Sequence, residues 1–248
     1  MSGHSKWSQI KRQKGKNDQA RGKVFAKMAR EIMVAVREGG NADINSNFRL
    51  RQAVTRAKES GVPNDNIDRA IQKGLGAGGE GSGFENIMYE GYGPGGVAIM
   101  IDALTDNRNR TAGDIRSYFN KCDGNLGETG SVNWMFQKKG VIRLDTVADF
   151  DSFFLEAADA GAEDVREDED SVEVLTTPED FEKVATALTD QQVESSEITY
   201  LAQTTVSVAD PDVAKKLLKL MDLIEEHDDV QNVYSNFELE ESVLAQIG

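Results

Sequence analysis

Cysteine, histidine and proline are nearly missing from this chain, which has one Cys, two His and four Pro in 248 residues. A single thiol, Cys122, cannot close an internal disulfide, so the expected setting is reducing and cytoplasmic. With only His4 and His227 besides, a structural zinc site of four His/Cys ligands is excluded, and neither a metal nor a cofactor is expected. Long apolar runs are missing too. The longest, Val97-Ala98-Ile99-Met100-Ile101, is far short of the roughly 20 residues of a membrane helix. No apolar stretch follows the basic N-terminus, so no secretory signal and no membrane partner are expected. The phosphate-loop pattern G-x-x-x-x-G-K-[ST] and the nucleophile pattern G-x-S-x-G do not occur, and two distant histidines leave a Ser/His/Asp triad little to work with. The reading is therefore of a non-enzymatic protein.

What the chain does have is charge, unevenly placed. Residues 1–30 hold nine Lys/Arg against one acid, a net +8, while residues 145–248 hold five basic and 28 acidic side chains, a net −23. The 114 residues between are neutral. A formal net charge of −15 thus hides a basic arm suited to a polyanion and an acidic body.

The first 22 residues carry Gly3, Gly15 and Gly22 and no helical apolar stripe, so they read as a loose arm. Val24, Met28, Ile32 and Val36 recur at helical spacing up to Gly39-Gly40; further helices follow around Phe48–Ala57 and Asn64–Ile71, and the glycine-rich run from Gly74 to Gly83 reads as a linker. Past it the period changes. Strands are expected at 87–90, 97–104, 132–136, 141–144, 171–175, 198–202, 205–208 and 233–239, with helices at 112–121, 150–160, after Thr177-Pro178-Glu179, and at 211–226. The fold class is α+β and multidomain: a basic arm and helical domain over 1–80, then two ferredoxin-like α+β domains. One of these, residues 140–203, is acidic and inserted in the other, which is discontinuous over 81–139 plus 204–248.

Three motifs need weighing. Gly91-Tyr92-Gly93-Pro94-Gly95-Gly96 spells the dinucleotide fingerprint but leads into an apolar strand instead of a helix, so a tight turn is the reading. The acidic run Glu163–Asp170 lacks calcium-loop spacing and reads as a solvated connection. Asp106-Asn107-Arg108-Asn109-Arg110-Thr111 lies between strand and helix, where Asn109 or Thr111 can cap and Arg108 and Arg110 can meet an anion. The strongest signal is the arm itself, in which Trp7 stands among Lys6, Lys11, Arg12, Lys14 and Lys16, followed by Arg21, Lys23, Lys27 and Arg30. Cations interleaved with a flat aromatic suit phosphate contacts and base stacking. Arg49, Gln52 and Arg56, at i, i+3 and i+7 of the second helix, offer a face that could read base edges of duplex DNA.

Ser2-Gly3-His4-Ser5-Lys6-Trp7, Arg21-Gly22-Lys23-Val24-Phe25, Tyr89–Gly96, Asp106–Thr111 and Gly124-Asn125-Leu126-Gly127 closely resemble the YebC/PmpR family, which includes the mitochondrial translational activator of cytochrome c oxidase. The resemblance spans nearly the full chain. It implies three domains and a role either as a transcriptional regulator that binds DNA or as a ribosome-associated factor that contacts RNA and relieves stalling. It carries no catalytic residue.

Overall fold

The structure, a computed structural model, describes residues 18–76, 84–168, 171–189, 191–240 and 242–243, with side chains in the first helix described from Val24 onward. The arm residues Lys6, Trp7, Lys11, Arg12, Lys14 and Lys16, and most of the glycine-rich linker, lie outside the described residues.

Helix α1 (Asp18–Gly39) starts six residues before the apolar stripe that announced it. Gly22 falls inside it, a placement that costs only about 1 kcal/mol relative to Ala. Helices α2 (Phe48–Glu59) and α3 (Asn64–Gly74) pack on α1 around Ile32, Val36, Leu50, Ala53, Ala57 and Ile67. The buried Asn47 caps α2 by accepting from the Leu50 amide at 3.0 Å and donates through Nδ2 to Ala35 O at 2.9 Å. That amide fills the space a side chain at residue 39 would need, since a Cβ on Gly39 would sit 2.2 Å from Asn47 Nδ2.

Beyond the linker come β1 (Glu85–Tyr92), β2 (Ala98–Thr105), α4 (Arg108–Lys121) and the short β3 (Asn125–Leu126). After the inserted segment come β8 (Val206–Val208), α7 (Pro211–Glu225), β9 (Val230–Ser235) and β10 (Phe237–Leu239). The sheet order is β3-β1-β2-β9, with a β1–β2 hairpin and an antiparallel β2–β9 pair; β8 and β10 form a separate parallel pair. The core joins Ile99, Ile101, Ile115, Phe119, Leu217, Leu220, Met221 and Phe237, all fully or nearly fully buried. The glycine-rich turn serves this packing. A Cβ on Gly91 would meet Asn125 O at 2.7 Å and the Phe119 ring at 2.8 Å, and Gly95 and Gly96 take φ of +74° and +75°. These glycines allow close approach and a left-handed turn, the non-nucleotide reading of the motif.

Residues 136–203 form a compact unit of their own. It runs β4 (Phe136–Leu144), α5 (Phe150–Ala160), β5 (Asp164–Asp168), β6 (Ser171–Thr176), α6 (Phe181–Ala187) and β7 (Val193–Ala202). The order β5-β6-β4-β7, antiparallel throughout, is that of a split βαβ sheet. Two expectations are corrected here. Much of the acidic run is a strand, because Val165 can face the core opposite Val174 while its charged neighbours decorate the sheet edge. The strand expected over 132–136 is instead a single 3₁₀ turn, Asn133–Met135, and β4 begins only at Phe136.

That turn is fixed from beneath. Glu90 on β1 is 2 % exposed, and its carboxylate accepts from the amides of Gly130 at 2.9 Å, Val132 at 2.8 Å and Asn133 at 2.9 Å. Gly130 takes φ +92°, Val132 is fully buried, and the Tyr92 hydroxyl donates to Ser131 O at 3.0 Å.

Candidate nucleic-acid interface

The described part of the basic region is α1, and Lys27, Arg30 and Arg37 on it are engaged within the chain. Lys27 Nζ donates to the carbonyl of Glu225 at the end of α7, where a helix presents partial negative charge. Arg30 Nη1 lies 3.5 Å from Asp229 Oδ1, and Arg37 donates to Phe84 O at 3.1 Å. Asn86 donates to Glu38 at 3.1 Å. The helix is thus tied along the body by polar contacts from residues 27, 30, 37 and 38. Arg21 and Lys23 belong to α1, but their side chains lie outside the described ones.

The arginines of α2 are also engaged. Arg49 pairs with Glu38 and Arg56 with Glu31, both acids on α1. Arg51 stacks over the Phe48 ring at 5.0 Å. The i, i+3, i+7 face expected to read bases is therefore laced to the neighbouring helix, though the Arg49 side chain keeps 47 % of its surface exposed.

The arginines in the first turn of α4 were expected to receive an anion, and Arg110 has one from within the chain. Its guanidinium donates to Asp106 at 2.9 Å and to Asp229 Oδ2 at 2.7 Å. The same Oδ2 accepts from Thr111 Oγ1 at 2.7 Å and Thr105 Oγ1 at 3.1 Å. Asn107 supplies the cap, accepting from the Arg110 amide at 3.1 Å, while Thr111 points to Asp229, so neither Asn109 nor Thr111 caps. Arg108 stays exposed, and its carbonyl accepts from the Tyr89 hydroxyl at 3.4 Å.

Asp229 is the hub of this cluster and is 3 % exposed. Its carbonyl accepts from the Leu104 amide at 2.8 Å, and its amide donates to His227 Nδ1 at 3.1 Å. Burial alone would raise its pKa, but hydrogen bonds from Arg110, Thr111 and Thr105 together with the Arg110 charge hold it below the ordinary aspartate value. Nothing in the sequence separates Asp229 from the acids around it, and its partners stand at residues 30, 105, 110 and 111. Among the described residues, no helix is long and apolar enough to cross a membrane.

Comparison with known proteins agrees with this architecture. The model of the TACO1/YebC protein N-terminal domain matches residues 5–77, and that of the TACO1/YebC second and third domain matches residues 84–237. A protein of Desulfitobacterium hafniense named "Probable transcriptional regulatory protein" is 54 % identical over 248 residues, covering 98 % of each chain. One of the same name from Natranaerobius thermophilus is 52 % identical over 250 residues, covering 98 % of this chain and 99 % of that one. The crystal structure of a conserved hypothetical protein from Aquifex aeolicus superposes with a TM-score of 0.80 at 43 % identity, covering 92 % of this chain and 94 % of that one.

Proposed function

The chain belongs to the TACO1/YebC family, and from that premise we propose that it is a nucleic-acid-binding regulator of gene expression that acts in the cytoplasm. Its basic N-terminal region makes the contact, and no catalytic step is part of the reading. The observation that carries it is the partition of charge, +8 over residues 1–30 against −23 over 145–248. A body of that sign repels phosphate, so a polyanion approaches through the arm. The contacts of α1 sharpen the assignment. Lys27 and Arg30 fasten the helix to the body, which leaves phosphate contact chiefly to Lys6, Lys11, Arg12, Lys14 and Lys16 upstream. The name shared by the relatives supports a transcriptional role on DNA.

The second reading, a ribosome-associated factor that contacts RNA, is favoured by one observation. Arg49 and Arg56, the side chains best spaced to read duplex bases, are each paired with an acid of α1. With those two arginines engaged, binding by charge and stacking is favoured, which suits RNA.

Deleting residues 2–17 tests both readings, since the cut ends where α1 begins and leaves every described contact in place. The truncated protein should lose most of its affinity for duplex DNA and structured RNA alike. Removal of five cations should flatten the log–log salt slope by about 3.5 to 4.5. Unchanged affinity and slope would overturn the assignment to the arm. Comparing ribosome co-sedimentation with duplex binding at matched salt then separates the two roles.

A further inference from the structure

We propose that Trp134 is a stacking platform for an unpaired base of single-stranded nucleic acid, a contact point on the body in addition to the arm. The inference rests on the nucleic-acid reading above and deepens it.

Trp134 is 65 % exposed. Among the described residues of 84–135 and 204–243 it is the one large hydrophobic side chain left in solvent. A large aromatic so exposed on a floppy loop would mean little, but this one is held. Its turn is pinned by three backbone amides on the buried Glu90 carboxylate, by the Tyr92 hydroxyl on Ser131 O and by the buried Val132 side chain. Burying a carboxylate carries a desolvation penalty, offset here by those amides. The product of that arrangement is a fixed indole facing water.

The chemistry of the exposed surface selects the ligand class. The indole N–H, the only polar group of the side chain, already donates to Ser131 O at 3.1 Å. What remains for a partner is an apolar π surface with no free donor, which fits stacking and not hydrogen-bonded recognition. The surroundings argue against a protein hot spot, in which the central aromatic is ringed by further contacts that exclude water. Here Glu128, Thr129, Gly130 and Asn133 of the same loop are all exposed and none is apolar and large, while the adjoining Met135 is half-buried and Phe136 is buried. An isolated flat aromatic in polar surroundings accepts a base from any nucleotide, because every base has a π face. A duplex cannot present one without unstacking, so the platform selects single strands, loops or ends.

The protein has two tryptophans, so Trp7→Phe leaves Trp134 as the sole indole reporter in the full chain. Titration of this variant with a short oligoadenylate should quench its emission, and duplex DNA of the same length should not. In the otherwise native chain, Trp134→Ala should weaken oligoadenylate binding roughly 5- to 150-fold, the range expected when one base loses its stacking partner, while Trp134→Phe retains most of the affinity. The side chain is exposed enough that circular dichroism and thermal midpoint should be unaffected in both variants. If oligoadenylate binds with no change in Trp134 emission and Trp134→Ala binds as tightly as the native chain, the platform is refuted while the arm reading stands. If the native chain binds neither single strands nor duplex, both are refuted. Emission that responds to a protein partner but to no nucleic acid also overturns the proposal.

Discussion

Among the described residues two carboxylates are buried, and they are stabilised in opposite ways. Glu90 is held by the amides of Gly130, Val132 and Asn133, so its partners are main-chain groups within one short turn. Asp229 is held by the side chains of Arg110, Thr111 and Thr105, with Arg30 from α1 at 3.5 Å. A carboxylate bound by amides fixes local shape and leaves the identity of the neighbouring side chains free. One bound by side chains from residues 30, 105, 110 and 111 joins segments far apart in the chain, and each partner's identity matters. The first device builds a rigid turn; the second ties the helical N-terminal region to the sheet.

The comparison can be broken most severely at Asp229. Asp229→Ala leaves the guanidinium of Arg110 and the hydroxyls of Thr105 and Thr111 without their shared acceptor and removes the counter-charge of Arg30. The expected loss is about 3–5 kcal/mol, the cost of breaking a buried charge network from one side. Urea unfolding followed by near-ultraviolet circular dichroism measures it. Acid should narrow the difference. A carboxylate whose folded pKa is depressed stabilises the fold above its unfolded pKa, about 3.9, and that contribution fades as pH falls through the lower folded value. The gap between native and variant proteins should therefore be largest at pH 6 to 7 and narrow as pH falls below about 3.9. A gap that does not narrow in acid would mean that the carboxylate charge is not what holds the cluster.

A smaller loss is expected at Glu90. In Glu90→Ala the Val132 amide stays buried without an acceptor, while those of Gly130 and Asn133 border exposed residues and can turn to water. One to two buried donors left unmet correspond to about 2–3 kcal/mol. The damage should also be local. In the Trp7→Phe background, Trp134 emission should lose anisotropy while far-ultraviolet circular dichroism is unchanged. A uniform loss of structure would show that Glu90 supports the whole sheet and not the turn alone.

The same contrast explains how much of this molecule was legible in the sequence. Elements with a clear period were readable: α5, α7, the β1–β2 hairpin and its glycine turn all fall close to where periodicity and turn chemistry put them. Residues 164–168 were misread because an edge strand with one apolar residue, Val165, has the composition of a loop. Trp134 was absorbed into an apolar run because hydrophobicity, not the clamp of Glu90 beneath it, is what a window of sequence registers. The pairing of Lys27, Arg30, Arg49 and Arg56 within the chain was invisible for a related reason. Each finds its partner on another element, and a basic side chain looks the same in sequence whether it faces phosphate or a carboxylate of its own chain.

The mildest test separates those two uses of a cation at Arg49. Its partner Glu38 is as accessible as it is, with 44 % and 47 % of the side-chain surfaces exposed, so the pair is solvated. Solvated pairs contribute about 0.2–1 kcal/mol, and less as salt screens them. Arg49→Ala should therefore lower stability by no more than that, with the difference vanishing in 1 M salt. Nucleic-acid binding gives a second readout from the same variant. If Arg49 serves only Glu38, affinity and salt slope are those of the native chain. If it leaves Glu38 to contact a phosphate in the complex, the log–log slope flattens by about 0.7 to 0.9, the share of one phosphate contact. A change of preference among duplex sequences, with the slope unaltered, would instead mean that Arg49 reaches a base edge. That outcome would restore α2 as a reading helix and favour the transcriptional role over the ribosomal one.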